Sequence, residues 1–294
     1  MKRSSPGKPW PVVVAFMLIG LSINAATLTV TTTADSGPGS LRATVAAAAS
    51  GDVIVFDAAT NGIPIVLTTG EIAITTSLTI TGNDTTNTVV SGNNASRIFN
   101  IMGAGSVAIN SMKLTMGTSA TNGGAVVSSG SMVSMMATAV TNSSAGLRGG
   151  GIHCTGGSLM LTGSWVRANT AAGAAATYGG GGIYADGGCA TTVSSGSAIT
   201  GNSASGAAGS GGGIFNNTGG TLTVSGSTLS SKQRFARGRG HRAERCGSIH
   251  DTHRRQPYHE QHRTGTRQRW RRAHHRPGQR DHHRGAGAGQ YRHH

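Results

Sequence analysis

Three copies of one short pattern constrain what this chain can become. Gly149-Gly150-Gly151-Ile152, Gly180-Gly181-Gly182-Ile183 and Gly211-Gly212-Gly213-Ile214 recur at a spacing of 31 residues and again 31. Each is followed by a second glycine pair (Gly156-Gly157, Gly187-Gly188, Gly219-Gly220) and then by a short alternating run: Ser158-Leu159-Met160-Leu161, Thr191-Thr192-Val193-Ser194, Thr221-Leu222-Thr223-Val224. A Gly-Ser step comes next (Gly163-Ser164, Gly196-Ser197, Gly226-Ser227), and a third apolar piece ends near Val166, Ile199 and Leu229. Asn169 and Asn202 close two of these units, and Asn142 closes a less regular one before them.

Such segments are too short and too rich in Gly and Thr for helices. Three strands of three to five residues joined by Gly, Asn and Ser turns make one coil of a parallel β-helix. Each strand then hydrogen-bonds its equivalent in the next coil about 4.8 Å away. Inward positions require Ile, Val, Leu or Met, and outward positions accept Thr and Ser. Corners in register favour glycine at positive φ, and asparagine for left-handed turns and stacked amides.

The first half follows the same logic less regularly. Asp52-Val53-Ile54-Val55-Phe56, Ile65-Val66-Leu67, Ile72-Ala73-Ile74, Leu78-Thr79-Ile80, Arg97-Ile98-Phe99-Asn100-Ile101 and Val107-Ala108-Ile109 read as strands. Residues 40–49 form the one convincing helix, with Ser40 as N-cap, Gly51 as the C-terminal stop, and Leu41, Val45 and Ala48 on one face. An open first coil needs its edge covered, so this helix is read as a cap.

Asp35-Ser36-Gly37-Pro38-Gly39-Ser40-Leu41-Arg42, followed by Gly51-Asp52-Val53-Ile54-Val55-Phe56, resembles the opening of secreted bacterial right-handed β-helix repeat proteins. These include the polymorphic outer-membrane-protein-like group and proteins carrying a Cys-Ser-Leu-Arg-Glu-Ala segment. Of that segment Ser40, Leu41 and Arg42 are kept, Gly39 replaces the cysteine, and Ala43 and Thr44 stand for Glu-Ala. Gly92-Asn93-Asn94-Ala95-Ser96-Arg97-Ile98-Phe99 is similar to the next recurring block. The resemblance covers about residues 27–230. It implies an all-β, right-handed parallel β-helix at the cell surface or outside the cell, often an adhesin-like passenger.

Charge divides the chain. Residues 1–230 hold 8 Lys/Arg against 6 Asp/Glu; residues 231–294 hold 17 against 4, with 11 of the 12 histidines. The basic character therefore belongs to the last 64 residues, where the periodicity stops. One reading is a disordered basic tail that binds nucleic acid, phosphate-rich surfaces or metal. The preferred reading is translation out of frame. Read one nucleotide later, His followed by a codon starting with C gives Ile or Thr, and Gln gives Asn or Ser. Tyr258-His259-Glu260-Gln261-His262 then becomes Ile/Thr, Met/Thr, Asn/Ser, Asn/Ser, Ile/Thr, the pattern of Val140-Thr141-Asn142-Ser143-Ser144. At the other end, Lys2, Arg3 and Lys8 precede an apolar run over residues 11–21 and the small residues of Ser22-Ile23-Asn24-Ala25-Ala26. This is the pattern of an export signal cut after Ala25 or Ala26, with an uncleaved anchor as the alternative. The expected organisation is a signal peptide at 1–26, a cap with first strands at 27–57, coils at 58–230 and a disordered tail at 231–294.

Catalysis in this fold requires paired carboxylates, or a calcium cluster with a basic residue. Residues 58–230 hold only Glu71, Asp84 and Asp186, no two at corresponding positions of neighbouring coils. His153 is expected in a turn or at the surface, and Arg148 and Arg167 are expected to lack an acidic partner. Gly179-Gly180-Gly181-Gly182 lacks the Gly-Lys-Ser/Thr of a phosphate loop and reads as a turn. Of the three cysteines, Cys154 and Cys189 could pair in an oxidising compartment. They sit two and six residues past their repeat isoleucines, which weighs against the bond. No catalytic, cofactor or metal residue is singled out. The expected role is structural or adhesive, on glycans or cell-surface components, with end-to-end self-association through an uncovered last coil. The alternative is a carbohydrate-active enzyme whose catalytic coil lies in the shifted region. Nucleic-acid binding rests entirely on the tail.

Overall fold

The computed structural model describes Met1, residues 25–230 and the backbone of Arg234–Phe235. The expectations of a signal segment and of a disordered tail fall otherwise outside the described residues. Residues 25–230 wind into a parallel β-solenoid. The first sheet has eight strands, from Thr27–Val30 to Thr221–Val224. The second runs over seven, from Ile65–Val66 to Thr228–Leu229; the third over seven, from Ile72–Ile74 to Arg234–Phe235. A fourth element was not foreseen: the two-residue strands Thr118–Ser119, Ser144–Ala145, Thr170–Ala171 and Ser203–Ala204 make a short sheet between the second and the third.

The repeat isoleucines stack as expected, Ile152 on Ile183 on Ile214, and so do Val166, Ile199 and Leu229. All six lie inside the coils. Beside them Leu159 and Leu161 alternate inward while Met160 faces out. Burying such a side chain stabilises by about 1.5–3 kcal/mol. A charge at Leu161 would therefore break a coil from inside.

Each glycine of the triplet answers a different need. Gly149, Gly180 and Gly211 hold φ of 62°, 62° and 65°, where a side chain is strained. At Gly150 and Gly181 a Cβ would collide with backbone carbonyls of the next coil, Gly181 O and Gly212 O. At Gly151 and Gly182 it would press on the amides of Asn169 and Asn202. Those amides form the asparagine ladder. Asn202 Oδ1 accepts from Asn169 N and Nδ2, and Asn169 Oδ1 accepts from Ser143 N. The ladder position one coil earlier is thus Ser143. Asn142, expected there, sits one residue before it and takes the left-handed corner at φ 51°.

The helix spans Leu41–Ala47, with Ser40 Oγ accepting from Ala43 N. It ends earlier than Gly51, because Ala48 is already extended and Asp52 draws the chain away by accepting from Ala49 N and Ala26 N. Leu41, Thr44 and Val45 are buried and Ala48 packs partly against the core. The helix covers the first strands of the first and third sheets, Thr27–Val30 and Ile72–Ile74. Arg42 completes the cover by donating to Gly70 O and Glu71 O (2.6 and 2.8 Å) at the open edge.

The expectation for the cysteines is corrected. Cys154 and Cys189 are joined by a disulfide, with Cα atoms 6.0 Å apart. The column neighbour of Cys154 is Ala185, but a tight turn, in which Cys189 N donates to Asp186 O, brings Cys189 within bonding reach of Cys154. The backbone of Arg234–Phe235 adds in parallel to Ile214–Asn216. An edge strand accepts any following backbone, whatever its side chains.

Candidate functional site

The outer face of the second sheet departs from a plain Thr/Ser surface. Lys113, Ala139 and Trp165 occupy one ladder position in three successive coils, and Thr115, Thr141 and Arg167 the next outward one. Residues i and i+2 of a strand share a face, so Trp165 and Arg167 project together. Ala139 is short and buried between its two long neighbours, which leaves a depression of about 440 Å³. Trp165 forms one wall and is 41% exposed. Lys113, Arg167 and Thr141 line the rest.

Thr85 and Thr86 close the rim. Thr86 is held by Asp84, whose carboxylate accepts from Thr86 Oγ1 and N (both 2.6 Å) and from Asn87 N and Nδ2. The Thr86 hydroxyl, and then the two backbone amides, lower the Asp84 pKa to about 2. The turn is therefore held while Asp84 is ionised.

The cations of residues 25–230 sort into two groups. Arg42 pairs with Asp35 at 2.7 Å, Arg97 with Glu71 at 2.5 Å, and Arg148 with Asp186 at 3.7 Å. Lys113 and Arg167 form no ion pair among the described residues, and both line this depression.

A second cluster lies on the third sheet. His153, Tyr184 and Phe215 stack in one column, ring centroids 5.4 and 5.1 Å apart, and all three are buried. Arg148 lies over Tyr178 and Tyr184 at 4.7 and 5.2 Å, and the Tyr184 hydroxyl donates to Thr177 O. Burial, and then the Arg148 charge, depress the His153 pKa to about 4; burial raises that of Tyr184 to about 12. Both rings are neutral at pH 7. His153 is thus a packed strand residue, not a turn or surface one, and Arg148 does have an acidic partner. Asp186 reaches it from the following coil. Adding 31 to 153 and again to 184 would have placed the three rings in one column.

Glu71, Asp84 and Asp186 lie apart, each engaged by its own partners. Glu71 accepts from Asn100 as well as Arg97, and Asp186 accepts from Asn217. Among the described residues no group of three or more His, Cys, Asp or Glu stands at metal-holding distances, and no helix is long and apolar enough to cross a membrane. Comparison with protein-family models, with curated proteins and with solved structures found no match for this chain.

Proposed function

We propose that this chain is a secreted or cell-surface β-helix protein with an adhesive or structural role, which recognises glycans or other surface components through its outward faces. The observation that carries the reading is the depression at Trp165, an exposed indole beside hydroxyl and cationic side chains on a rigid sheet. A sugar presents an apolar C–H face for such a ring and hydroxyls for Thr and Arg, and rigid placement lowers the ordering cost of binding. The aromatic cluster around His153 serves packing in this reading. The secreted β-helix repeat proteins resembled by residues 27–230 supply the bacterial outer-surface setting.

Binding of the full chain and of Trp165→Ala to an array of surface glycans tests the reading. Retention that falls at least tenfold in the variant supports it, and equal retention rejects it. Export is tested separately by sequencing the N-terminus of the secreted protein, which this reading places at Ala26 or Thr27. The shifted-frame reading of the tail is tested by resequencing the gene around codons 228–240.

A further inference from the structure

We propose that the depression at Trp165 takes an acidic polysaccharide, one whose sugars carry carboxylate or sulfate groups. This rests on the glycan-binding reading above and narrows it to a substrate class.

Charge carries the step. Five cationic side chains occur in residues 25–230, and three are matched by carboxylates. The two that are unmatched among the described residues, Lys113 and Arg167, flank Trp165 in the same depression. Scatter alone would distribute unmatched cations over all the sheets. Here they sit on neighbouring ladder positions of one sheet, two coils apart along the axis. Two strand spacings are about 9.6 Å, the reach of a disaccharide unit. A chain laid along the axis would stack one ring on Trp165. It would place one acidic group against the planar donor fork of Arg167, and another at the Lys113 ammonium. Thr141 is buried between these groups and its hydroxyl already donates to Thr115 Oγ1, so it shapes the floor rather than adding a donor. The carboxylate of Asp84, next in sequence to the rim threonines, is engaged by Thr86 and Asn87, which moderates its repulsion of an anion without removing it.

Site-specific readout is needed, because the basic segment after residue 230 attracts any polyanion. The chain has three tryptophans, at positions 10, 165 and 270. In the full chain carrying Trp10→Phe and Trp270→Phe, emission reports Trp165 alone. The titrants are oligogalacturonate, heparin oligosaccharide, neutral dextran oligosaccharide and single-stranded oligothymidylate.

A saturable change in emission with oligogalacturonate or heparin oligosaccharide, absent with dextran, is expected; which of the two acts assigns carboxylate or sulfate. The Lys113→Gln/Arg167→Gln variant should weaken that titration roughly 10- to 100-fold, given the usual strength of charge-assisted hydrogen bonds. A response to dextran as strong as to the acidic sugars would overturn the acidic preference while leaving glycan binding intact. An equal response to oligothymidylate would make the depression a general polyanion or nucleic-acid contact and would overturn the proposal. Silence towards all four would overturn both the proposal and the reading beneath it. Circular dichroism of the variants, whose substituted side chains project from the sheet, confirms that the fold is retained.

Discussion

The coils before and after Gly149 close the same solenoid by different means. In the earlier part, single long side chains reach between coils. Arg42 and Asp35 tie the capping helix to the Thr68–Thr69 corner, and Arg97 spans Glu71, Ser119 and the carbonyls of Asn122 and Gly123. In the later part the same position repeats the same device: the glycine triplet, the Asn169–Asn202 ladder and the His153–Tyr184–Phe215 stack, with one disulfide across two coils. The difference is one of redundancy. A bond specified once fails alone, whereas a ladder shares a lesion with the coils on either side. Cross-linking and ladders also tolerate low pH better than ion pairs do.

The largest effect should come from opening the later part. Cys154 and Cys189 are 35 residues apart, and loop-closure entropy of that length corresponds to about 4 kcal/mol. Cys154→Ser/Cys189→Ser, or reduction of the native protein, should lower the denaturant midpoint accordingly, read by equilibrium unfolding. A loss confined to hydrogen-exchange protection of residues 150–230 would sharpen the comparison by showing that the two parts unfold separately. An unchanged midpoint would show that the bond constrains nothing.

Next comes the carboxylate of the cap. Asp35 is largely buried and accepts from Arg42, Thr68 and Thr69. Burial alone would raise its pKa, but hydrogen bonds from Thr69 and Arg42, and then from the backbone of Thr68 and Thr69, hold it well below the ordinary carboxylate range. A depressed carboxylate stabilises above its unfolded pKa and loses that contribution as pH falls towards the folded value. The cap should therefore loosen below about pH 4. Asp35→Asn should cost about 3 kcal/mol at pH 7, because Arg42 is left partly buried without its charge partner. If the variant unfolds in acid as the parent does, Asp35 is not the group that titrates.

His153 gives the later part a milder acid response. Its folded pKa near 4 lies below the ordinary 6.5, so the stability it confers is complete above pH 6.5 and declines as pH falls from there towards 4. The total is on the order of 2–3 kcal/mol. His153→Phe would extend the Tyr184–Phe215 stack and should flatten stability over that pH window. An unchanged pH profile would place the response elsewhere.

How much of this was legible differs between the two parts for a physical reason. The later coils announce themselves because the triplet glycines are forced by φ, by carbonyl contact and by the asparagine amides, so the 31-residue offset is written in the residues. The depression at Trp165 escaped because its offset is different. Lys113, Ala139 and Trp165 are spaced by 26 residues and again 26. The same 26 separates Val126 from Ile152, before the longer loop ending at Tyr178 stretches the next coil to 31. The ion pairs escaped too, because Arg42, Arg97 and Arg148 join acids whose nearness depends on how coils stack. The capping helix was read correctly from Ser40 and its apolar face. Its end was not, because the pull of Asp52 on two backbone amides has no local sequence signature.

The smallest expected effect tests whether repetition itself stabilises. One corner of the solenoid is left-handed in four successive coils, at Met116 (φ 52°), Asn142 (51°), Ala168 (55°) and Gly201 (59°). Only the last is glycine, although the corner conformation costs an L-residue about 1–2 kcal/mol. Glycine carries its own entropic penalty of roughly 0.5–1 kcal/mol, which offsets part of the relief. Ala168→Gly should therefore stabilise by about 0.5–1 kcal/mol, raising the melting temperature by roughly 1–4 °C for a domain of this size. Gly201→Ala, where a Cβ meets nothing nearer than Ala168 N at 4.0 Å, should lose a similar amount from backbone strain alone. Opposite signs at two rungs of one ladder would show that backbone conformation governs the corner. If both substitutions destabilise, the Ala168 methyl contributes packing that outweighs its strain, and the residue at each rung was fitted to its own coil.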